Sequence, residues 1–179
     1  MEKKNLPTLP EIIESKLPAR DKETGYNVLM NIKPPASWIK INKYANNSKY
    51  IPIDKVEFLL TKIFGRFKVE IIRTQLMGNS VEATVRLHYF HPVYKEWDWM
   101  DGIGAKNIQC DAGASASDWS KIKIDGVQKA SPIAVSEAEK NAAKKLGRLF
   151  GRDLNRDNVI DYGTLIDENK FNNAKITEK

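Results

Sequence analysis

Ser136-Glu-Ala-Glu-Lys140-Asn-Ala-Ala-Lys-Lys145-Leu-Gly-Arg-Leu-Phe150-Gly-Arg152 reads as one helix with two unlike faces. Val135, Ala138, Ala142, Leu146, Leu149 and Phe150 recur mostly at helical spacing and form an apolar stripe that needs a core to lie on. Lys140, Lys144, Lys145, Arg148 and Arg152 fall mainly on the other side. From Lys140 to Arg156 there are six Lys/Arg against one acid, Asp153. Glu137 and Glu139 are expected in the first turn, where the helix dipole favours a carboxylate. Gly151 is the expected stop. A basic face of this kind is either the solvated side of a core helix or a surface that grips phosphates.

Composition bounds the rest. At 179 residues the chain is one domain, or one domain with tails, and 41% hydrophobic residues are enough for a real core. Lys+Arg of 29 against Asp+Glu of 23 gives a net charge of +6, which suits a polyanionic partner. The lone Cys110 excludes an internal disulfide and a cysteine-cluster zinc site, and points to a reducing compartment. No apolar run approaches the roughly 20 residues of a membrane span. Met1-Glu-Lys-Lys-Asn-Leu-Pro has neither a signal-peptide core nor transit-peptide character, so the expected location is cytoplasmic.

Outward from the basic helix, the elements follow in order. Thr8-Leu-Pro-Glu11 is a capping box that predicts a short helix ended by Pro18. Residues 19–50 are mixed, with Pro34-Pro35 as a break, Trp38-Ile-Lys-Ile41 as a short strand and Asn46-Asn-Ser48 as a turn. Pro52 to Phe64 predicts a helix with Val56, Leu59, Leu60, Ile63 and Phe64 on its buried face and Gly65 as its stop. Lys55 sits in its first turn, where a cation is electrostatically misplaced. Phe67–Met77 is a strand, and Gly78-Asn-Ser80 its turn. Val81, Ala83, Val85, Leu87 and Tyr89 alternate with Glu82, Thr84, Arg86 and His88, so the next strand has one buried and one wet face. Trp97, Trp99 and Met100 make a third strand that Gly102-Ile-Gly104 ends. Asp111 to Asp118 is small and polar and reads as a mobile loop. Lys121-Ile-Lys-Ile-Asp125-Gly126 is a candidate hairpin, and the basic helix starts near Pro132. Residues 157–179 carry five acids and three lysines and are expected to be poorly ordered.

Few constellations suggest catalysis. His88 and His91, three apart at a strand end, are expected on opposite faces, which argues against a shared metal. No nucleophile elbow, P-loop or glycine-rich dinucleotide fingerprint is present. Glu96 and Asp98 are expected to share a strand face and would be the two carboxylates of a metal-dependent nuclease, or simply the wet side of a half-buried strand. Trp97 and Trp99 share the other face, which reads as core, subunit interface or a base-stacking platform. Trp119 stands in the polar loop without an assignable core.

Three stretches resemble the Rad-fifty-two-type single-strand annealing proteins, especially their compact phage members, the Sak-like recombinases. They are Tyr50-Ile51 through Lys55-Val56 to Phe64-Gly65; Ala83-Thr-Val-Arg-Leu87 through Trp99-Met-Asp-Gly-Ile-Gly104; and Ser136–Gly151, with Glu139, Ala142-Ala143, Lys144-Lys145, Arg148 and Phe150-Gly151 in the family's order. Together they cover roughly residues 50–156. The resemblance implies an α+β fold, a three-stranded antiparallel meander packed with helices, assembled as a homo-oligomeric ring or helical array. It implies ATP-independent binding of single-stranded DNA and annealing of complementary strands through a duplex intermediate in phage-type recombination, with no enzymatic site, cofactor or metal. Carried over by position, Lys144, Lys145 and Arg148 would hold the strand's backbone, and Lys55 would face the same groove. Arg66 stands where the family often has an aromatic. With Lys140 and Arg152 these make seven candidate DNA-binding residues. Residues 1–49 would be an N-terminal segment available for subunit contacts, 50–156 the annealing core and 157–179 a flexible tail. A host single-strand-binding protein or a phage exonuclease would be the partners, in the cytoplasm of a bacterial host, with no membrane involved. Three alternatives remain open: a double-stranded RNA-binding domain, which shares the α-β-β-β-α order but connects its last strand to its last helix by fewer than the roughly 30 residues expected here; the nuclease on Glu96 and Asp98; and an oligomeric structural protein without nucleic acid.

Overall fold

The computed structural model describes residues 19–43, 45–114, 118–157 and 159, with side chains from residue 23 onward. The capping-box helix after Thr8 and nearly all of the acidic tail lie outside the described residues. The fold is α+β: a three-stranded antiparallel sheet in sequential order with helices on one of its faces.

Helix α1, Ala19–Asn31, occupies part of the stretch read as mixed. It places Tyr26 and Met30 in the core. A 3-10 turn, Ala36–Trp38, precedes strand β1, Lys40–Asn42, so the short strand forms later than Trp38. β1 pairs with β2, Ser48–Tyr50. Their loop contains Asn46 and Asn47, both at positive φ, closed by Ser48 donating its N–H to the Ala45 carbonyl. Two consecutive left-handed residues are the mark of a type I′ turn, and asparagine tolerates that conformation better than other side chains.

Helix α2, Ile53–Phe64, buries Val56, Leu59, Leu60, Ile63 and Phe64, the five residues its periodicity singled out. Gly65 ends it at φ 65°, a conformation in which a Cβ would be strained. Strands β3, Phe67–Met77, and β4, Ser80–Phe90, form a hairpin around Gly78-Asn79, with Gly78 at φ 57°. A bulge at Ile72 shifts their register between Ile71 and Arg73. β4 is the central strand, and its alternation is complete: Val81, Ala83, Val85, Leu87 and Tyr89 are all buried.

Two boundaries differ from expectation for one shared reason. Strand β5, Trp97–Asn107, does not stop at Gly102-Ile-Gly104 but runs through it, paired to β4 along its whole length. Helix α3, Gly126–Lys144, starts before Pro132, which lies inside it, and begins at the last residue of the segment read as a hairpin. The two glycines and the helix meet. A Cβ on Gly102 would overlap the Ala138 carbonyl oxygen and the Ala142 amide nitrogen; one on Gly104 would overlap the Ala138 nitrogen and Ala134 oxygen. Ala130, Ala134, Ala138 and Ala142, spaced by four, bring the helix backbone down onto the strand, and all four are buried. Gly102 and Gly104 are therefore contact positions rather than breakers. The connection between β5 and α3 shrinks to residues 108–125. It holds a 3-10 turn at Trp119–Lys121 and a bridge between Cys110 and Ile122.

The far end of α3 also moves. The helix closes at Lys144, and Leu149 and Phe150 reach the core from a separate 3-10 turn, Arg148–Phe150. Gly147 separates the two because its backbone lies against Met30 of α1, where a Cβ would overlap the Met30 carbonyl. Glu137 and Glu139 consequently sit deep in α3, not in its first turn.

Gly102→Ala should be among the most damaging small substitutions in the chain. The neighbours are backbone atoms of a packed helix and cannot rotate away, so a loss of about 1–3 kcal/mol or more is expected. Urea unfolding followed by circular dichroism measures it. An Ala variant as stable as the native protein would mean that α3 does not lie this close to β5.

Candidate nucleic-acid interface

The seven candidate residues fall into five places along the chain: α3, its end, the turn after it, the start of α2 and the open face of the sheet.

Lys140 and Lys144 share a face of α3. Lys140 is only 8% exposed. Its ammonium pairs with Glu137 one turn back and stands 5.2 Å from the centre of the Tyr50 ring. Lys144 is half-buried and donates to Asn141 Oδ1 at 2.9 Å. Burial, and then the neighbouring Lys140 charge, hold its pKa below the ordinary lysine value, with Glu137 opposing. The expectation that these lysines lie on a free polar face is therefore corrected. Both stems are packed, and their heads are held by α3 itself.

Lys145 lies just past the helix end and is exposed. Its charge helps hold the Asp101 carboxylate below its usual range, after the larger effect of Arg86. Arg148 and Arg152 belong to the turn that follows. Arg148 Nε lies 3.3 Å from Asp153, and Arg152 reaches both Asp153 at 3.6 Å and Asn31 Oδ1 of α1 at 2.8 Å. Arg156 also pairs with Asp153 at 3.4 Å, so one carboxylate gathers three guanidiniums. Lys55 is paired with its neighbour Asp54 at 3.0 Å and stands 5.9 Å from the Trp38 ring centre. An acid beside it and a ring beneath it account locally for a cation at that helix start.

Arg66 is elsewhere, on the sheet face that α3 leaves open. That face was the least legible part of the sequence. Trp97 and Trp99 are each 49% exposed. By register they stand beside Phe90 and His88 of β4. The Arg66 guanidinium lies 5.3 Å from the Phe90 ring centre and 5.4 Å from that of Trp97. The Arg86 guanidinium lies 4.1 Å from the Trp99 ring while making a two-pronged ion pair with Asp101, at 2.8 and 3.0 Å. His88 bonds Glu70 across the hairpin at 2.7 Å. The result is an exposed aromatic row with two guanidiniums laid on it. The sequence reading took Arg66, Trp97 and Trp99 separately, and only strand register shows that they converge with Arg86 and Phe90.

Glu96 and Asp98 both lie near His91. Glu96 precedes β5, and its carbonyl accepts from the His91 N–H. The Asp98 carboxylate accepts from the Tyr89 hydroxyl at 2.8 Å and from the Trp99 N–H at 2.7 Å. His91 is buried among Tyr26, Tyr94 and Tyr89. Its Nδ1 accepts from the Val93 and Tyr94 amides, and burial pulls its pKa down. His88, by contrast, faces the open side of the sheet. Among the described residues no group of three or more His, Cys, Asp or Glu is arranged to hold a metal ion, and no helix is long and apolar enough to cross a membrane.

Compared with known proteins, the chain matches no protein-family model and no curated sequence.

Glu139 is the residue at this site whose role the sequence pattern misplaced. It is 7% exposed, and its Oε1 has no hydrogen-bond partner among the described residues. Burial, helped by the Glu57 charge on α2, pushes its pKa up to about 7. In the unfolded chain it would titrate near 4.5. Between these values the folded state holds the proton more tightly, so stability is full below pH 4.5 and falls as pH rises toward and through about 7. Glu139→Gln removes this titration. Its stability relative to the native protein should rise by on the order of 1–2 kcal/mol between pH 5 and pH 8. Thermal melts of both proteins across that range measure it; parallel curves would show that Glu139 is not desolvated.

Proposed function

We propose that this protein binds single-stranded DNA with little sequence preference and anneals complementary strands, without nucleotide hydrolysis, as a homo-oligomeric ring or helical array in phage-type recombination. The observation that supports this best is the row of exposed Trp97 and Trp99 and half-buried Phe90 with Arg66 and Arg86 laid against it. Stacking on aromatics is open to every base and worth about 1–3 kcal/mol per base, and it requires bases that are not already paired. A strand held by its faces and its phosphates still offers its pairing edges to a second strand. Lys145, exposed past the end of α3, and Arg66 beside the row would supply sequence-blind phosphate contacts. A weak site on each subunit becomes a firm grip when repeated around an oligomer. The resemblance of residues 50–156 to the annealing proteins points the same way.

The double-stranded RNA-binding alternative shares the order α2-β3-β4-β5-α3, and the connection over residues 108–125 is shorter than the sequence suggested. An exposed aromatic row is the feature such a domain does not need, since duplex RNA is read by shape and backbone.

The decisive measurement is annealing of two labelled complementary oligonucleotides in EDTA without nucleotide. Trp97→Ala with Trp99→Ala should lower single-strand affinity by at least about tenfold per subunit. Lys144→Ala with Lys145→Ala should abolish annealing through the summed loss of avidity, and a melting curve of the variant separates that loss from any cost of removing the packed Lys144 stem. Glu96→Ala with Asp98→Asn should anneal normally. If the tryptophan and lysine pairs anneal like the native protein while the acidic pair is inactive, the annealing assignment fails. Equal affinity for duplex RNA and single-stranded DNA would favour the runner-up.

Salt dependence and mass give a second test. If each subunit neutralises about three to four phosphates, log affinity against log salt should fall with a slope of about −2 to −3 per subunit. Sedimentation with DNA present should give a species well above the 20.4 kDa of one chain. A flat salt response, or a monomer, contradicts the proposal.

A further inference from the structure

The turn after α3 builds a second cationic feature, distinct from the aromatic face. A pocket of about 340 Å³ opens between the end of α1, the segment Pro34–Ile39, strand β2 and the turn holding Arg148 and Asp153. That volume is at the small end of the range for ligand pockets, roughly 300–1,000 Å³.

Its walls are of two kinds. Lys33, Lys49 and Arg148 contribute three positive charges and Asp153 one negative charge, a surplus of two. Among the described residues neither the Lys33 nor the Lys49 ammonium has an ion-pair partner. Asp153 offsets at most one of these charges, because Arg148, Arg152 and Arg156 share it, so the surplus is at least two. Asp153 also fixes Arg148, which is held at 14% side-chain exposure with its Nε 3.3 Å from the carboxylate. Pro34, Ile39 and Leu154 supply apolar wall.

The framework is tied down from both sides. The Asn155 side chain accepts from the Lys49 N–H at 2.7 Å and donates to the Lys49 carbonyl at 2.8 Å, so it pairs with β2 as a neighbouring strand would. Arg152 anchors the same turn to Asn31 at the end of α1. The three cations thus come from three segments of chain that the core and these bonds hold together.

We propose that this pocket binds a nucleoside phosphomonoester, with the phosphate on Lys33, Lys49 and Arg148 and the nucleoside against Pro34, Ile39 and Leu154. A phosphomonoester carries about −1.5 to −2 charge at neutral pH and three acceptor oxygens. That matches a surplus of two positive charges and three donors, where a phosphodiester in mid-strand would leave one charge unanswered. The ligand is either a free mononucleotide or the phosphorylated end of a strand. The proposal stands apart from the strand-annealing reading and does not depend on it.

The test uses the full chain and calorimetric titration with adenosine monophosphate, adenosine and inorganic phosphate. Saturable binding of the monophosphate, at least about tenfold tighter than either fragment, is expected. Lys33→Ala with Lys49→Ala should weaken it by about tenfold or more, while leaving the melting temperature and strand annealing unchanged, since both side chains are exposed and outside the aromatic face. A 5′-phosphorylated oligonucleotide that displaces the monophosphate better than its 5′-hydroxyl twin identifies a strand end as the ligand; no difference between the two identifies the free nucleotide. No saturable binding of the monophosphate, or inorganic phosphate binding equally well, overturns the proposal. So does loss of annealing in the lysine pair, which would make the pocket a stretch of the strand groove rather than a separate site.

Discussion

The approach of α3 to β5 governs the rest of the molecule. A helix normally stands about 10 Å from a sheet because side chains fill the gap; here glycine on the strand and alanine on the helix leave little between the backbones. Such a contact gives modest hydrophobic area per residue, since alanine and glycine have little to bury. Its value is positional. It fixes α3 over β4 and β5, and Asn141 adds a bond from the helix to the Ile103 carbonyl. Larger side chains would lift the helix and open voids beside Val85 and Ala83, which lie fully buried beneath it.

Several features follow from where α3 lies. It covers β4 and β5 but not β3, so Ile71 and Leu76 stay exposed at the sheet's edge. Among the described residues no helix covers the opposite sheet face, where Trp97, Trp99 and Ile103 are exposed. At its C-terminal end α3 must stop where Gly147 meets Met30 of α1, and the chain turns there. That turn sends Leu149 and Phe150 into the core with Phe64 and Tyr89, while Arg148 and Arg152 swing to the side facing α1 and β2. The basic stretch that looked like one helical face is thereby divided between a helix, a cap and a turn.

This division explains what was legible and what was not. Helix α2 and strand β4 could be read because each buries one face and exposes the other, so burial writes itself into the sequence as a period. Gly102 and Gly104 could not, because glycine carries local meaning as a breaker and here serves a tertiary contact instead; only the paired helix reveals which sense applies. Helix α1 carries a weakly amphipathic sequence, Ala19 to Asn31, and is held mainly through Tyr26 and Met30. Glu139 was misplaced for the same reason as the glycines. With the helix start moved back to Gly126, a residue assigned to a favourable first turn becomes a buried carboxylate without a partner for Oε1. Of the candidate site, residue types were legible and surfaces were not. Arg66 was chosen as a basic residue, yet what distinguishes it is its place over Phe90 and Trp97, which depends on strand register.

The two cationic features differ in a way that bears on their chemistry. On the open sheet face, guanidiniums lie flat against rings, and Arg86 is already satisfied by Asp101. Such a surface offers planes, and it can accept any base without commitment to a charge. Around Asp153 the charges crowd instead, with more guanidinium than carboxylate and lysines nearby whose heads are free among the described residues. A surface of planes suits a partner that slides and is tested by pairing; a pocket with surplus charge suits a partner with a compact, doubly charged group. The same fold presents both because α3 ends where it does: its packed face holds the sheet so that the far side stays bare, and its last turn releases the arginines toward α1.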